Sequence, residues 1–347
     1  MRALTIRPRS PGSAELSTVP EPDPLAGSVL VEAILTGVCG TDHELLQGDI
    51  GTPPPGRDRL VIGHESLGRV LQAPAGSGCA EGDLVVGIVR RPDPVPCGNC
   101  AVGEWDMCTN GRYTEHGIVV LDGFAAERWR ADPDALVTVD PALGDHTVLT
   151  EPTSVVAKAW EHLERIGQRA WFGPRTALVT GAGPVGRLAA LLGVQRGLDV
   201  TALDQVTDGP KPALVADLGA TYLTDLDEAL ARRPDVVVES TGALPVIHAV
   251  LRAVHPGSVV CLLGLSDPGR PTPIDLGAFN TAMVLGNGVV FGSVNANRRH
   301  YDEAARALGR ADPKWLDRLL TRRVPLEAWP SAFARQPQDV KNVLQIS

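Results

Sequence analysis

The sequence has no apolar run long enough to span a bilayer, which takes about 18 residues, and no excess of basic charge. Its 32 lysines and arginines are outnumbered by 41 aspartates and glutamates, giving a net charge of −9 and a pI near 5.4. A general nucleic-acid surface needs a basic face, so neither nucleic acid nor a membrane is expected as a partner. The opening Met1-Arg-Ala-Leu-Thr-Ile lacks the charged stretch, apolar core and small-residue cleavage site of a signal peptide, and the expected location is the cytoplasm. Cysteine is scarce. Six in 347 residues are too few for a disulfide scaffold, and three of them crowd into the segment 97–108, as metal ligands do. Internal repeats and low-complexity linkers are missing too.

What is present is a globular composition, with 44% hydrophobic and 21% charged residues, in a chain too long for one ordinary core. Residues 1–155 read as β-rich. The short runs Ala3–Ile6, Ser28–Ile34, Gly68–Ala73 and Asp83–Val89 carry Val, Ile and Leu between Gly/Pro clusters. From about 156 strands and helices alternate. A helix over Val155–Glu164 is followed by strands at Thr176–Thr180, Asp199–Leu203, Val236–Glu239 and Ser258–Leu263, with helices between them. That alternation predicts an α/β domain with a doubly wound parallel sheet over 156–304. Residues 305–347 are expected to fold back onto the first domain.

A dinucleotide site is written into the segment Arg175-Thr-Ala-Leu-Val-Thr-Gly181-Ala-Gly183-Pro184-Val185-Gly186, a G-x-G-x-x-G that ends a strand and opens a helix. Gly181 makes the tight turn, Gly183 lets the backbone approach a pyrophosphate, and Gly186 permits close helix–strand packing. The pyrophosphate would rest on the helix start formed by Gly183, Pro184 and Val185. Asp204 ends the next strand about 20 residues on, where an acid accepts hydrogen bonds from the adenosine ribose. Gln205 and Val206 follow it, with no arginine fork for a 2′-phosphate. NAD is favoured over NADP.

The second signal is Gly37-Val-Cys39-Gly40-Thr41-Asp42 with Val61-Ile-Gly63-His64-Glu65-Ser-Leu-Gly68 and, later, Leu149-Thr-Glu151-Pro152. Cys39 alone reads as a buried thiol, and His64 alone as a satisfied histidine. As a set, thiolate, imidazole and carboxylate suit Zn²⁺ with one position left for water or substrate.

In these motifs and their order the chain resembles the zinc-dependent medium-chain dehydrogenase superfamily over nearly its whole length. It resembles the glucose dehydrogenase branch through Val89-Arg-Arg-Pro92, Tyr113-Thr-Glu115-His116-Gly117, Glu151-Pro-Thr-Ser and Phe291-Gly-Ser-Val-Asn295-Ala-Asn297-Arg-Arg-His300. The resemblance implies a GroES-like β-rich catalytic domain beside a Rossmann domain, and a homo-oligomer, dimer or tetramer. It implies Cys39 and His64 as zinc ligands, with Glu65 and Glu151 as alternative carboxylate ligands or water partners. Thr41 would relay the substrate hydroxyl proton, and Asp42 would hold the His64 ring. Glu115, His300, Thr41 and Glu151 would meet the substrate and Asn295 the cofactor. Some relatives have an aspartate for a sugar hydroxyl where this chain has Val155. The segment Pro96-Cys97-Gly-Asn-Cys100 with Cys108 matches a lobe that holds a structural zinc, with Pro94 where a first cysteine is usual and Asp93 or Asp106 to complete the set. The activity implied is oxidation of a sugar hydroxyl, at C1 of glucose or a related aldose, to the lactone with NAD(P). The alternative is a polyol, amino-sugar or cyclitol dehydrogenase on the same scaffold. Cys79 and Cys261 read as packing residues.

Overall fold

The strand Val29–Gly37 organises the first half of the chain, because it is paired along both edges. Its inward side chains Val29, Val31 and Ala33 are buried while the intervening positions are half-buried, the period of two expected of a sheet with one face on a core. The computed structural model describes residues 1–266, 269 and 271–347 and divides into two compact units. Met1–Ser154 with Asn295–Ser347 form one, and Val155–Val294 the other. Among the described residues no helix is long and apolar enough to cross a membrane.

In the first unit, Val29–Gly37 pairs antiparallel with Glu65–Gln72 on one side and with Lys341–Gln345 on the other, while Arg128–Ala131 also joins it. The pairing puts Gly37 opposite both Glu65 and Val343. Segments far apart in sequence therefore converge where the strand ends and Cys39 begins. The core beneath contains Leu4, Ile62, Phe124, Trp129 and Leu344. Phe124 lies 4.7 Å from the Trp129 ring and is stacked on His116 at 4.8 Å. A Cβ at Gly37 would come within 2.0 Å of a Glu65 carboxylate oxygen, so a larger residue there would displace the Glu65 side chain.

The second unit is a six-stranded, all-parallel sheet in the order Thr221–Leu223, Asp199–Leu203, Thr176–Thr180, Val236–Glu239, Val259–Leu262, Val289–Gly292. Its central strands are buried at nearly every position, as parallel strands covered on both faces must be. The helix Pro184–Gln195 begins with proline at its first turn and packs on the strands Thr176–Thr180 and Asp199–Leu203.

Two expectations are corrected here. The helix expected from Val155 starts at Thr150 and runs to Gly167, because Pro152 falls in its first turn, where a missing N–H costs nothing. Residues 295–304, placed with the second domain on sequence grounds, belong to the first unit. The reason is the helix Arg298–Gly309, which packs on the helical segment Pro141–Leu149. Its Tyr301 is buried and its hydroxyl oxygen accepts the Val89 N–H at 3.2 Å, while Asn297 donates to Asp106 at 2.9 Å.

The closeness of the Pro184–Gln195 helix to the preceding strand is testable. A Cβ on Gly186 would fall 1.8 Å from the Gly181 carbonyl oxygen, a backbone atom that cannot turn away. Gly186→Ala should destabilise the chain by about 1–3 kcal/mol, read as a lower midpoint in thermal melts followed by circular dichroism. An unchanged midpoint would mean that the helix shifts freely.

Candidate active site

Cys39 directly follows the strand Val29–Gly37 and Val38, and caps the helix Gly40–Gln47. His64 precedes the strand Glu65–Gln72, whose first residue is Glu65. The Cys39 Sγ lies 2.9 Å from His64 Nε2, and these atoms with a Glu65 oxygen form a group within 4.8 Å of one another. Sulfur, imidazole nitrogen and carboxylate oxygen at this spacing are a donor set that fits Zn²⁺. Asp42 is buried behind the imidazole. One of its oxygens accepts the Cys39 N–H at 2.9 Å, and the other lies 3.5 Å from His64 Nδ1. Thr41 is half-buried beside Asp42 in the same helix.

The electrostatics of this pocket follow from crowding charge in a dry place. Burial alone would push the His64 pKa down, but the Cys39 sulfur and the Asp42 carboxylate outweigh it and hold the imidazole well above its ordinary range. Asp42 is also buried, yet His64 and the Cys39 N–H keep it below the usual carboxylate range. Glu151 goes the other way. Burial, with Glu65 and Asp42 nearby, pushes it up to about 7 against the pull of His64 and Lys341. Glu65 itself is paired with the ammonium of Lys341, 2.5 Å from one of its oxygens, and both side chains are only 2% exposed.

In the second unit the G-x-G-x-x-G turn has the shape a dinucleotide needs. Gly181 sits at φ +89°, and Gly183 faces open space with nothing within 4 Å of where a Cβ would be. The helix start at Pro184 leaves the amides around it for an anion. Asp204 accepts from the Ala182 N–H at 2.8 Å and from Lys211 Nζ at 2.7 Å with one oxygen, and from the Val206 N–H at 3.1 Å with the other.

The cysteine lobe departs from expectation in one respect. The sulfurs of Cys97, Cys100 and Cys108 lie within 4.8 Å of one another, as one metal requires, but among the described residues neither Asp93 nor Asp106 joins them. Asp93 spends its carboxylate on the turn, accepting from the Val95 N–H and the Asn110 amide at 2.8 Å each. Asp106 accepts from Asn297. The N–H groups of Cys100 and Thr109 point at Cys97 and bring its thiol down to about 5, so a thiolate is ready there for a cation.

The sequence of the second half, residues 144–346, matches the family model described as glucose dehydrogenase C-terminus, and residues 25–141 match the alcohol dehydrogenase GroES-like domain. The chain belongs to the glucose dehydrogenase branch of the zinc-dependent medium-chain dehydrogenases. It is 42% identical to a glucose 1-dehydrogenase of Thermoproteus tenax, with 100% of this chain and 99% of the relative covered. A glucose 1-dehydrogenase of Methanocella arvoryzae is 36% identical over the same shares. Among solved structures, glucose dehydrogenase of Haloferax mediterranei in complex with NADP, Zn and gluconolactone is similar at a TM-score of 0.92 and 30% identity, covering 100% of this chain and 99% of that one.

Against that family background, the residues expected at the substrate have defined partners. Glu115 is buried and takes Arg90 at 2.9–3.0 Å and the Asn295 amide at 2.8 Å, all on Oε1. Asn295, at φ +61°, also accepts the Ala296 N–H. His300 is 1% exposed, and its Nδ1 accepts the Asn297 N–H at 3.1 Å, so the neutral ring carries its proton on Nε2. Val155 is half-buried and offers no polar atom. Lys341 was missed by sequence reading. Its pair with Glu65 links positions 276 residues apart, and a lone lysine near a chain end carries no local signal.

Removing that lysine tests how far the site leans on it. Lys341→Met would strand the Glu65 carboxylate in the core, at a cost of about 3–5 kcal/mol, visible as a lower urea midpoint. Lys341→Arg should recover most of the loss. Equal midpoints for wild type and the Met variant would show that the pair contributes no net stability.

Proposed function

We propose that this chain oxidises C1 of glucose, or of a related aldose, to the lactone. It is a zinc- and NAD(P)-dependent dehydrogenase of CH–OH groups, and the observation that carries the reading is the Cys39–His64–Glu65 donor set beside Glu151, in a chain similar throughout to glucose dehydrogenases. Bound by Cys39 and His64, zinc supplies the Lewis acid that makes a substrate hydroxyl easier to deprotonate, and the nicotinamide supplies the hydride acceptor.

The chain's own residues do the rest. Asp42 fixes the tautomer and orientation of His64, so that Nε2 faces the Cys39 sulfur. Glu65 and Glu151 are the alternative carboxylates for metal or water; Lys341 holds Glu65, whereas Glu151, with its pKa near neutrality, can take or release a proton. The Thr41 hydroxyl passes on the proton of the substrate hydroxyl. Glu115 and His300 meet the other sugar hydroxyls, Glu115 through the oxygen that Arg90 and Asn295 leave open and His300 as a donor through Nε2. Asn295 orders this wall and reaches the cofactor. Gly181, Gly183, Pro184, Val185 and Gly186 hold the pyrophosphate and Asp204 the adenosine ribose, which favours NAD. Cys97, Cys100 and Cys108 hold a structural zinc. The enzyme works in the cytoplasm as a homo-oligomer, dimer or tetramer.

A second reading, a polyol, amino-sugar or cyclitol as substrate, is favoured by one observation: Val155 has no polar atom with which to bind a hydroxyl. Pocket residues rather than the metal decide between these substrates.

Cys39→Ser should lose the catalytic zinc and turnover while dinucleotide binding and the melting midpoint stay close to wild type. Metal analysis and kinetics on the same preparation check this, and full zinc at a wild-type rate would overturn the assignment. For the substrate wall, Glu115→Gln and His300→Ala should each lower kcat/KM for the preferred sugar. The loss should run from a few-fold to roughly a hundredfold, the span of one hydrogen bond to a neutral or a charged group. A simple alcohol, offering only the reacting hydroxyl, should lose far less. Equal losses on both substrates would assign the two residues to general support of the site.

A further inference from the structure

Between Cys100 and Cys108 the chain makes a short helical turn, Trp105–Met107, whose one charged side chain points into the protein. Asp106 is 3% exposed, although its neighbours in the cysteine lobe, Val102 and Met107, are open to solvent. A buried carboxylate is costly unless hydrogen bonds hold it, so the partners of Asp106 identify its role. Its Oδ1 accepts the Asn297 side-chain amide at 2.9 Å, across 191 residues of chain. Its backbone carbonyl accepts the Arg90 guanidinium at 3.2 Å. All of these residues lie in the first compact unit.

Both partners reach one residue further, and each ends on the wall assigned to the sugar. Arg90 grips Glu115 with two nitrogens, at 3.0 and 2.9 Å, and lies 3.7 Å over the Tyr113 ring. Asn297 is tied to His300 twice. Its N–H donates to His300 Nδ1 at 3.1 Å, and its carbonyl accepts the His300 N–H at 3.0 Å. The Asn297 amide nitrogen also donates to Glu104 at 3.1 Å, and Glu104 accepts from Arg299 at 2.9 Å. Side chains held on two sides in a packed interior have few other rotamers open to them. Through one side-chain oxygen and one backbone oxygen, Asp106 therefore fixes where Glu115 and His300 stand relative to each other.

We infer that Asp106 is a positioning residue for the sugar, acting through Asn297 and Arg90 rather than on the substrate itself, so that sugar affinity depends on a turn of the cysteine lobe. The inference rests on the reading of Glu115 and His300 as the groups that meet sugar hydroxyls. Neither contact of Asp106 involves Cys39, His64 or Glu65. Its loss should therefore be felt by a substrate with further hydroxyls and far less by one that offers only the reacting hydroxyl.

Steady-state kinetics of the full chain on glucose and on a simple alcohol, at saturating dinucleotide, test it. Asp106→Ala should raise KM for glucose by about tenfold, and by no more than the roughly hundredfold that a misplacement of about 1 Å costs. The change in kcat, and both constants for the alcohol, should move far less. Asp106→Asn keeps an oxygen that can accept the Asn297 amide and should recover most of the loss. Asn297→Ala removes the same bond from its other end and serves if Asp106→Ala does not fold. The double variant should be no worse on glucose than the poorer single one, because both changes break one link. Equal losses on glucose and alcohol, an Asn variant as impaired as the Ala variant, or losses that multiply in the double variant would each overturn the inference. His300→Ala, measured alongside, keeps the two readings apart. If it impairs glucose selectively and Asp106→Ala does not, the positioning role fails alone. If His300→Ala is not selective either, or wild type does not act on glucose, the reading of the wall itself fails.

Discussion

A carboxylate and an ammonium that are both nearly sealed from water, those of Glu65 and Lys341, meet where three strands converge. Neither charge could stay there alone, because an unpaired buried ion costs several kcal/mol. Their pairing depends on the antiparallel register that sets Gly37 opposite Glu65 on one side and Val343 on the other. The same register delivers Cys39 just past the end of the strand and His64 just before its neighbour. One alignment of three strands therefore decides the charge balance, the spacing of Cys39 and His64, and the tie between the chain's last strand and its first domain. Shifting it by one residue would turn Glu65 to the opposite face of the sheet.

Around that alignment the pocket gathers three buried carboxylates, Asp42, Glu65 and Glu151, against His64 and Lys341. Three carboxylates cannot all keep full charge in a water-poor space. The structure distributes the strain unequally. Asp42 stays ionised against an imidazole and a backbone N–H, Glu65 has its own lysine, and Glu151, with no dedicated cation, is the one left near neutrality. That ordering leaves Asp42 charged beside the His64 ring and makes Glu151 the carboxylate nearest neutrality. Similar economy is seen at Glu115, whose Oε1 satisfies both Arg90 and Asn295 and so joins the Tyr113–His116 segment to the residues that follow the second unit.

How much of this was legible beforehand depended on whether the signal was local. The glycines at 181, 183 and 186 each answer to a constraint within six residues of chain, so strand, turn and helix could be read together, and the parallel sheet followed from the alternation. The triplet of Cys97, Cys100 and Cys108 was equally local. The expected completion of that set by Asp93 or Asp106 was not. Asp93 lies close in sequence, but the Val95 N–H and the Asn110 amide claim its oxygens, a competition that only the folded turn reveals. The boundary near 295 was missed for a related reason, because the strong amphipathic pattern of the helix Arg298–Gly309 does not say which core it faces, and its allegiance is set by the contacts of Tyr301 and Asn297.

By itself the sequence determined the two-part α/β architecture and the strand–glycine turn–helix of residues 176–195, and it picked out cysteines and a histidine that the fold brings together, since each rests on residue types whose spacing backbone geometry permits in few other ways. Only the tertiary structure decided which charges share a pocket. Lys341 on Glu65, Arg90 on Glu115, and Lys211 on Asp204 are pairings made across strands and helices, and Coulomb interactions depend on distance through the folded medium rather than along the chain.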